Sequence, residues 1–179
     1  MHICPKNLVS AAGNEWTVDD LAAKLLKHKG FFDSMGGGIT LSGGEPLLQA
    51  DFCVELLTRL KGQLHTAIET SGYADSTEFQ RVVSLCDFVY MDIKLADRDA
   101  HKKYTGVSNE KILENAAWLK QSGIPHCFRT PLIPNVTDTE ENLRAIQEIV
   151  GEDRWEKLSY NPLAGAKYAS VGREFKLEK

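Results

Sequence analysis

Five ionisable side chains, Glu45, Glu69, Asp92, Lys94 and Arg129, stand at or just past the carboxyl ends of short apolar runs. Three acids and two bases brought to one rim could hold a ligand that carries both charges, or could supply an acid–base pair such as Glu69 or Asp92 with Lys94. Polar neighbours accompany them: Ser42, Gly43 and Gly44 before Glu45, Thr70 and Ser71 after Glu69, and Asn161 after the last run. Gly43 and Gly44 expose backbone N–H and C=O groups with no Cβ to keep a ligand away. Pro46 restrains Glu45 toward extended conformations. An acid in the centre of this loop disfavours phosphate, and no G-x-x-x-x-G-K-[ST] run is present. A cationic or amino-bearing ligand fits better. Each residue also has a structural explanation: a glycine pair that is only a tight turn, an Asp92–Lys94 ion pair, an Arg129 that merely neutralises Glu69.

The other reactive residue types point elsewhere. His2, His28, His65, His101 and His126 show no metal-ligand spacing. Cys4, Cys53, Cys86 and Cys127 form no C-x-x-C pair, and the last three fall in apolar-periodic segments, where a free thiol packs as a small hydrophobe. Trp16, Trp118 and Trp155 stand singly and are assigned to packing.

The elements that position these residues follow from hydrophobic period. Runs at 39–42, 66–68, 88–93, 127–132 and 157–160 read as strands. Between them lie helix patterns: Phe52, Leu56, Leu57 and Leu60 after a cap at Asp51; Phe79, Val82, Val83 and Cys86 after Ser76; Ile112, Ala116 and Leu119 after Asn109. A Thr137/Glu140 capping box opens a fourth, with Leu143, Ile146 and Val150 inward. An extra helix over 17–28 comes first. The strand starts lie about 20 to 40 residues apart, the length of βα units, which implies an α/β fold with a parallel sheet and suggests a barrel or part of one. In such folds ligands bind at the C-terminal rim of the strands, where the five charged residues fall.

Composition bounds the rest. The 179 residues, 42% apolar and 26% charged, suit one domain with a real core. A net charge of −4 leaves no basic footprint for nucleic acid. No apolar run is long enough to span a membrane, and the start lacks a secretory layout, so a cytoplasmic location is expected.

The segments "GGGITLSGGEPLLQADF", "HTAIETSGYA", "DFVYMDIKLADRDAHKKYTGVSNEKILENAAWL", "GIPHCFRTPLIPNVTDTEENL" and "LSYNPLAGAKYASVGREF" together carry a family resemblance. In order and spacing the chain resembles the activating enzymes of glycyl radical enzymes, the pyruvate formate-lyase activators among them, within the radical S-adenosylmethionine (SAM) superfamily. The resemblance implies a partial parallel β/α barrel of about five strands, with the first βα unit missing. It implies SAM as cofactor, held by Gly43, Gly44 and Glu45 at its amino group and by Glu69, Thr70, Ser71, Asp92, Lys94 and Arg129 around it. Glu69 and Asp92 would also hold a monovalent cation, and Asn161 falls where some relatives have a histidine near the adenosyl part. The implied activity is reductive cleavage of SAM to a 5′-deoxyadenosyl radical that takes hydrogen from a glycine of a partner glycyl radical enzyme. An electron donor such as flavodoxin or ferredoxin goes with it.

One departure bears on activity. The family's [4Fe–4S] cluster sits on a C-x-x-x-C-x-x-C motif, and the sequence contains none. Fe–S clusters need thiolates close in space. Cys4-Pro5 resembles the end of a bacterial ferredoxin motif, C-x-x-x-C-P, which makes Cys4 a candidate cluster ligand in a longer protein. The expectation is a C-terminal piece: 1–16 the remnant of a ferredoxin-like insert and linker, 17–179 the partial barrel, with no [4Fe–4S] cluster in this chain and no activity alone. The alternatives are a non-catalytic SAM-binding or partner-docking module, and an ordinary β/α-barrel acid–base enzyme. An unpaired sheet edge would favour weak homo-oligomers.

Overall fold

The structure, a computed structural model, describes residues 14–161. Five strands, β1 (Gly38–Leu41), β2 (His65–Thr70), β3 (Phe88–Asp92), β4 (His126–Pro131) and β5 (Trp155–Leu158), form one sheet. Their spatial order is their chain order, and every neighbouring pair is parallel. The connecting helices that build the main core pack against one face of the sheet, the arrangement that crossovers of one hand give in a β/α barrel. The order never reverses, so the sheet is not doubly wound.

Seven α-helices are described: α1 (Val18–Leu26), α2 (Lys29–Met35), α3 (Ala50–Leu60), α4 (Ser76–Val83), α5 (Arg98–Thr105), α6 (Glu110–Ser122) and α7 (Glu140–Val150). Leu57 of α3, Phe79 and Val82 of α4, Leu119 of α6 and Ile146 of α7 pack with Val89 and Met91 of β3 and Phe128 of β4 in the main core. Each of these side chains is fully buried. Burying each contributes roughly 1.5–3 kcal/mol. Leu56 and Leu60 turn to a second, smaller cluster with Ala22 of α1. On β3 the alternation is strict: Val89 and Met91 face the helices, while Phe88, Tyr90 and Asp92 face the other way and stay partly exposed.

The elements correspond to the periodicity, with differences that have local causes. A 3-10 turn over Pro46–Gln49 runs straight into α3, so Asp51 lies in the helix's first turn instead of capping it. Its carboxylate pairs with Arg81 of α4. Asp75, not Ser76, is the residue before α4. The expected Thr137/Glu140 box is replaced by a cap at Thr139, which accepts from the Asn142 N–H at 3.3 Å. Thr137 is buried in the preceding turn, where its hydroxyl bonds the Ile133 N–H and the Pro131 carbonyl. Strand β5 begins two residues earlier than the 157–160 run. Helices α2 and α5 were not expected. Helix α5 is nearly all polar and buries only His101, so no apolar stripe announces it; Asp97 caps its start and Gly106 closes it at φ +88°.

Candidate functional site

The carboxyl ends of β1 to β4 close around a cleft of about 160 Å³. Its lining is Ser42, Gly43, Gly44, Glu45, Glu69, Thr70, Ser71, Asp92, Lys94 and Arg129. Every rim residue singled out in the sequence is there except Asn161, which lies exposed beyond the end of β5. Cys4 lies outside the described residues.

The loop after β1 is set by its glycines and its acid. Gly43 has φ +123°, a conformation that side chains rarely adopt. Gly44 has no such constraint, and a Cβ built on it meets nothing within 4 Å. Nothing in the protein itself requires glycine at 44, so the open space above it is room for a ligand. Glu45 ties the loop to β2. Its Oε1 accepts from the Thr70 hydroxyl at 2.7 Å and the Leu47 N–H at 3.2 Å, and its Oε2 accepts from the Ser71 N–H at 2.9 Å and hydroxyl at 2.6 Å. Four donors occupy its lone pairs. A cationic ligand would therefore meet the Gly43–Gly44 carbonyls and feel the Glu45 charge behind them.

A second set of charges crosses the sheet. Ser42 donates to Glu69 Oε2 at 2.7 Å, and Arg129 Nη1 donates to Glu69 Oε1 at 2.9 Å. Arg129 Nε stands 3.4 Å from Asp92 Oδ1, and Lys94 Nζ is 3.2 Å from Asp92 Oδ2. The Ser42 bond, opposed by partial burial and supported by Arg129, holds the Glu69 carboxyl below the usual carboxylate value. Burial works against the Arg129 charge, but Glu69 and Asp92 outweigh it and push the guanidinium's pKa up. Glu69 and Arg129 thus keep their charges at neutral pH. Asp92 Oδ1 and Arg129 Nε are buried without a hydrogen bond of good geometry. Such atoms are uncommon; here the two face each other at 3.4 Å as an ion pair, and both residues line the cleft.

Three buried asparagines hold the loops in place: Asn115 and Asn142, missed in the sequence, and Asn109, read there as a helix cap but making no side-chain cap bond. Asn115 of α6 donates to the carbonyls of Gly72 and Ala74 after β2. Asn109 donates to Leu95 and Ala96 after β3. Asn142 of α7 donates to Lys94 and Thr137 and accepts from the Ala96 N–H. The signal was an amide on the inward face of a helix, as where Asn115 stands between Ile112 and Leu119.

The described residues do not fit an iron–sulfur cluster. Among them no three His, Cys, Asp or Glu side chains stand together where a metal could be held. Cys53, Cys86 and Cys127 are buried free thiols. Burial pushes all three above the ordinary thiol value, Cys86 to about 12, which disfavours the thiolate a cluster needs.

A parallel sheet wound one way, with its polar residues converging at the strands' carboxyl ends, defines a β/α-barrel type of protein that binds ligand on that rim. The family model for the radical SAM superfamily matches residues 4–146. The isethionate sulfite-lyase activating enzyme of Oleidesulfovibrio alaskensis is 36% identical over 176 residues, covering 96% of this chain and 57% of its own. The pyruvate formate-lyase-activating enzyme of Clostridium pasteurianum is 35% identical over 172 residues, covering 93% of this chain and 72% of its own. A solved domain of pyruvate-formate lyase-activating enzyme from Bacteroides vulgatus matches with TM-score 0.57 and 30% identity over 68% of this chain and 76% of that one. Streptococcus suis SuiB bound to S-adenosylmethionine matches at TM-score 0.70 and 15% identity, over 93% of this chain and 38% of SuiB, a likeness of fold alone. The chain belongs to the radical SAM superfamily, among the activating enzymes of glycyl radical enzymes. It spans 57% of the length of several of those curated relatives.

Proposed function

We propose that this chain is the SAM-holding part of a glycyl radical enzyme activating enzyme. The observation that carries the reading is the rim cleft, where the Gly43–Gly44 loop faces the linked charges of Glu69, Arg129, Asp92 and Lys94. In the whole protein, SAM held here would supply the chemistry, its one-electron reductive cleavage, fed by an electron donor, leading to removal of hydrogen from a glycine of a partner glycyl radical enzyme.

The chain's own residues bind and orient. The Gly43 and Gly44 carbonyls receive the ammonium of the methionine part, with the Glu45 charge behind them. Lys94 and Arg129 attract its carboxylate, while Glu69 and Asp92 leave oxygens for a monovalent cation beside it. Thr70 and Ser71 keep Glu45 in place, and Asn161 is assigned to the adenosyl end. The partial barrel of this reading is carried by residues 14–161, while the expected insert remnant with Cys4 and the stretch beyond 161 lie outside the described residues. The protein works in the cytoplasm, with a flavodoxin or ferredoxin as electron donor; among the described residues no helix is long and apolar enough to cross a membrane. Weak self-association goes with the exposed sheet edge.

Calorimetric titration with SAM tests the reading. Binding that is lost in Gly44→Val, with the fold intact, is the expected result; no heat from the wild-type chain would refute it. The described residues offer no cluster ligands, so the 179 residues alone are expected to make no 5′-deoxyadenosine after anaerobic treatment with iron, sulfide and reductant. Sustained production would overturn that part.

A further inference from the structure

Arg129 projects from β4, yet its strongest partner is on β2. In register, Asp92 of β3 lies beside Arg129, and Glu69 of β2 lies beside Tyr90 of β3. Neighbouring strands are about 4.8 Å apart, so the guanidinium must cross the whole width of β3, roughly 9.6 Å from strand to strand, to reach Glu69. It crosses over an aromatic ring. The Arg129 Cζ lies 4.9 Å from the centroid of Tyr90, and Tyr90 in turn packs on Phe88 at 4.8 Å between centroids. Phe88, Tyr90 and Asp92 share one face of the strand, so this aromatic pair forms a floor that ends at the acid.

We propose that Tyr90 is the positioning residue of the rim cleft: it supports the Arg129 guanidinium in the plane where Nη1 meets Glu69 and Nε faces Asp92. The physical reason is the reach. An arginine side chain has several rotatable bonds, and two acids in different directions compete for its head. A cation is attracted to an aromatic face within about 6 Å, and the flat ring matches the flat guanidinium. Held there, Arg129 bridges three strands and keeps its buried Nε against Asp92. With an aliphatic residue at 90 the head would fall back to Asp92, its neighbour in register, and Glu69 would lose its partner. The phenol hydroxyl plays no part, so phenylalanine would serve equally.

The inference rests on the SAM-holding reading for its binding consequence, but its geometric content stands separately. Two measurements on the full 179-residue chain address it. The first is nitrogen-15 NMR of the Arg129 guanidinium: slow rotation about Nε–Cζ is expected in wild type and Tyr90→Phe, and fast rotation in Tyr90→Leu and Tyr90→Met. The second is calorimetry with SAM in a double-mutant cycle. Tyr90→Leu should weaken binding about fivefold in the wild-type background and leave it unchanged in an Arg129→Ala background, because Tyr90 acts only through Arg129. Rotation in Tyr90→Leu and Tyr90→Met as slow as in wild type would overturn the proposal, as would an equal binding loss in both backgrounds. If the wild-type chain binds no SAM, the SAM reading falls and the guanidinium rotation alone decides the role of Tyr90.

Discussion

Arg129 Nη1 lies 2.9 Å from Glu69 Oε1, although the two residues sit on strands separated by β3. The Arg129 side chain is only 15% exposed, so this cross-sheet bond belongs to the protein's interior as much as to its site. Without it Glu69 would keep only its Ser42 bond and Asp92 only its Lys94 partner.

Arg129→Ala is therefore expected to lower stability by about 2 kcal/mol, the cost of leaving the partly buried Glu69 carboxylate without its cation. Arg129→Lys should recover less than half, since an ammonium cannot reach both acids at once. Urea denaturation of the three proteins at neutral pH measures this; an alanine variant as stable as wild type would contradict it.

The pH dependence has a definite sign. Glu69 is held below its ordinary value of 4.5 in the folded state, with the Ser42 bond as the largest cause. Its contribution is fully present above that ordinary value and is lost as pH falls through the lower folded value. Ser42→Ala is expected to destabilise the chain at neutral pH and to converge with wild type below the folded pKa, as read from denaturation midpoints taken between about pH 7 and pH 3. A constant gap across that range would exclude Glu69 as its source.

Two adjacent glycines should separate folding from binding. Gly43→Ala forces a side chain into φ +123° and is expected to cost about 1–3 kcal/mol of stability. Gly44→Ala meets no neighbour and should leave stability the same or slightly higher, because it restricts the unfolded chain. Its effect should fall instead on SAM affinity. Thermal melts and SAM titrations of both variants give the comparison, and a destabilised Gly44→Ala would mean that the glycine serves the loop alone.

Asn142→Ala removes two donors and one acceptor from the turn after β3 and the turn before α7. Leaving those backbone groups buried without partners should cost about 2–3 kcal/mol. Glu141→Ala, next in sequence but exposed, should stay within about 0.5 kcal/mol of wild type. Chemical denaturation distinguishes them.

The five strands and five of the helices were legible because burial on one side writes a period into the chain, as in Phe79, Val82 and Val83 of α4. Helix α5 was not, since a helix that buries only His101 has no period to read. Caps were misplaced by one or two residues where neighbours compete for the same role. Thr137 and Thr139 both can cap, and only the turn built around Asn135 at φ +59° decides that Thr137 faces inward.

The rim itself was visible as polar residues following apolar runs, and nine of the ten expected residues line one cleft. By itself the sequence determined which residues reach that rim, because strand length and direction place every carboxyl end on the same side of a parallel sheet. Tertiary structure alone decided the partners: that Glu45 spends its oxygens on Thr70, Ser71 and Leu47, that Arg129 passes over Tyr90 to Glu69, and that three asparagines clamp the loops. All but the Glu45–Leu47 contact join residues more than ten positions apart. Their selection depends on the strand register and on side-chain reach across it, neither of which a one-dimensional spacing contains.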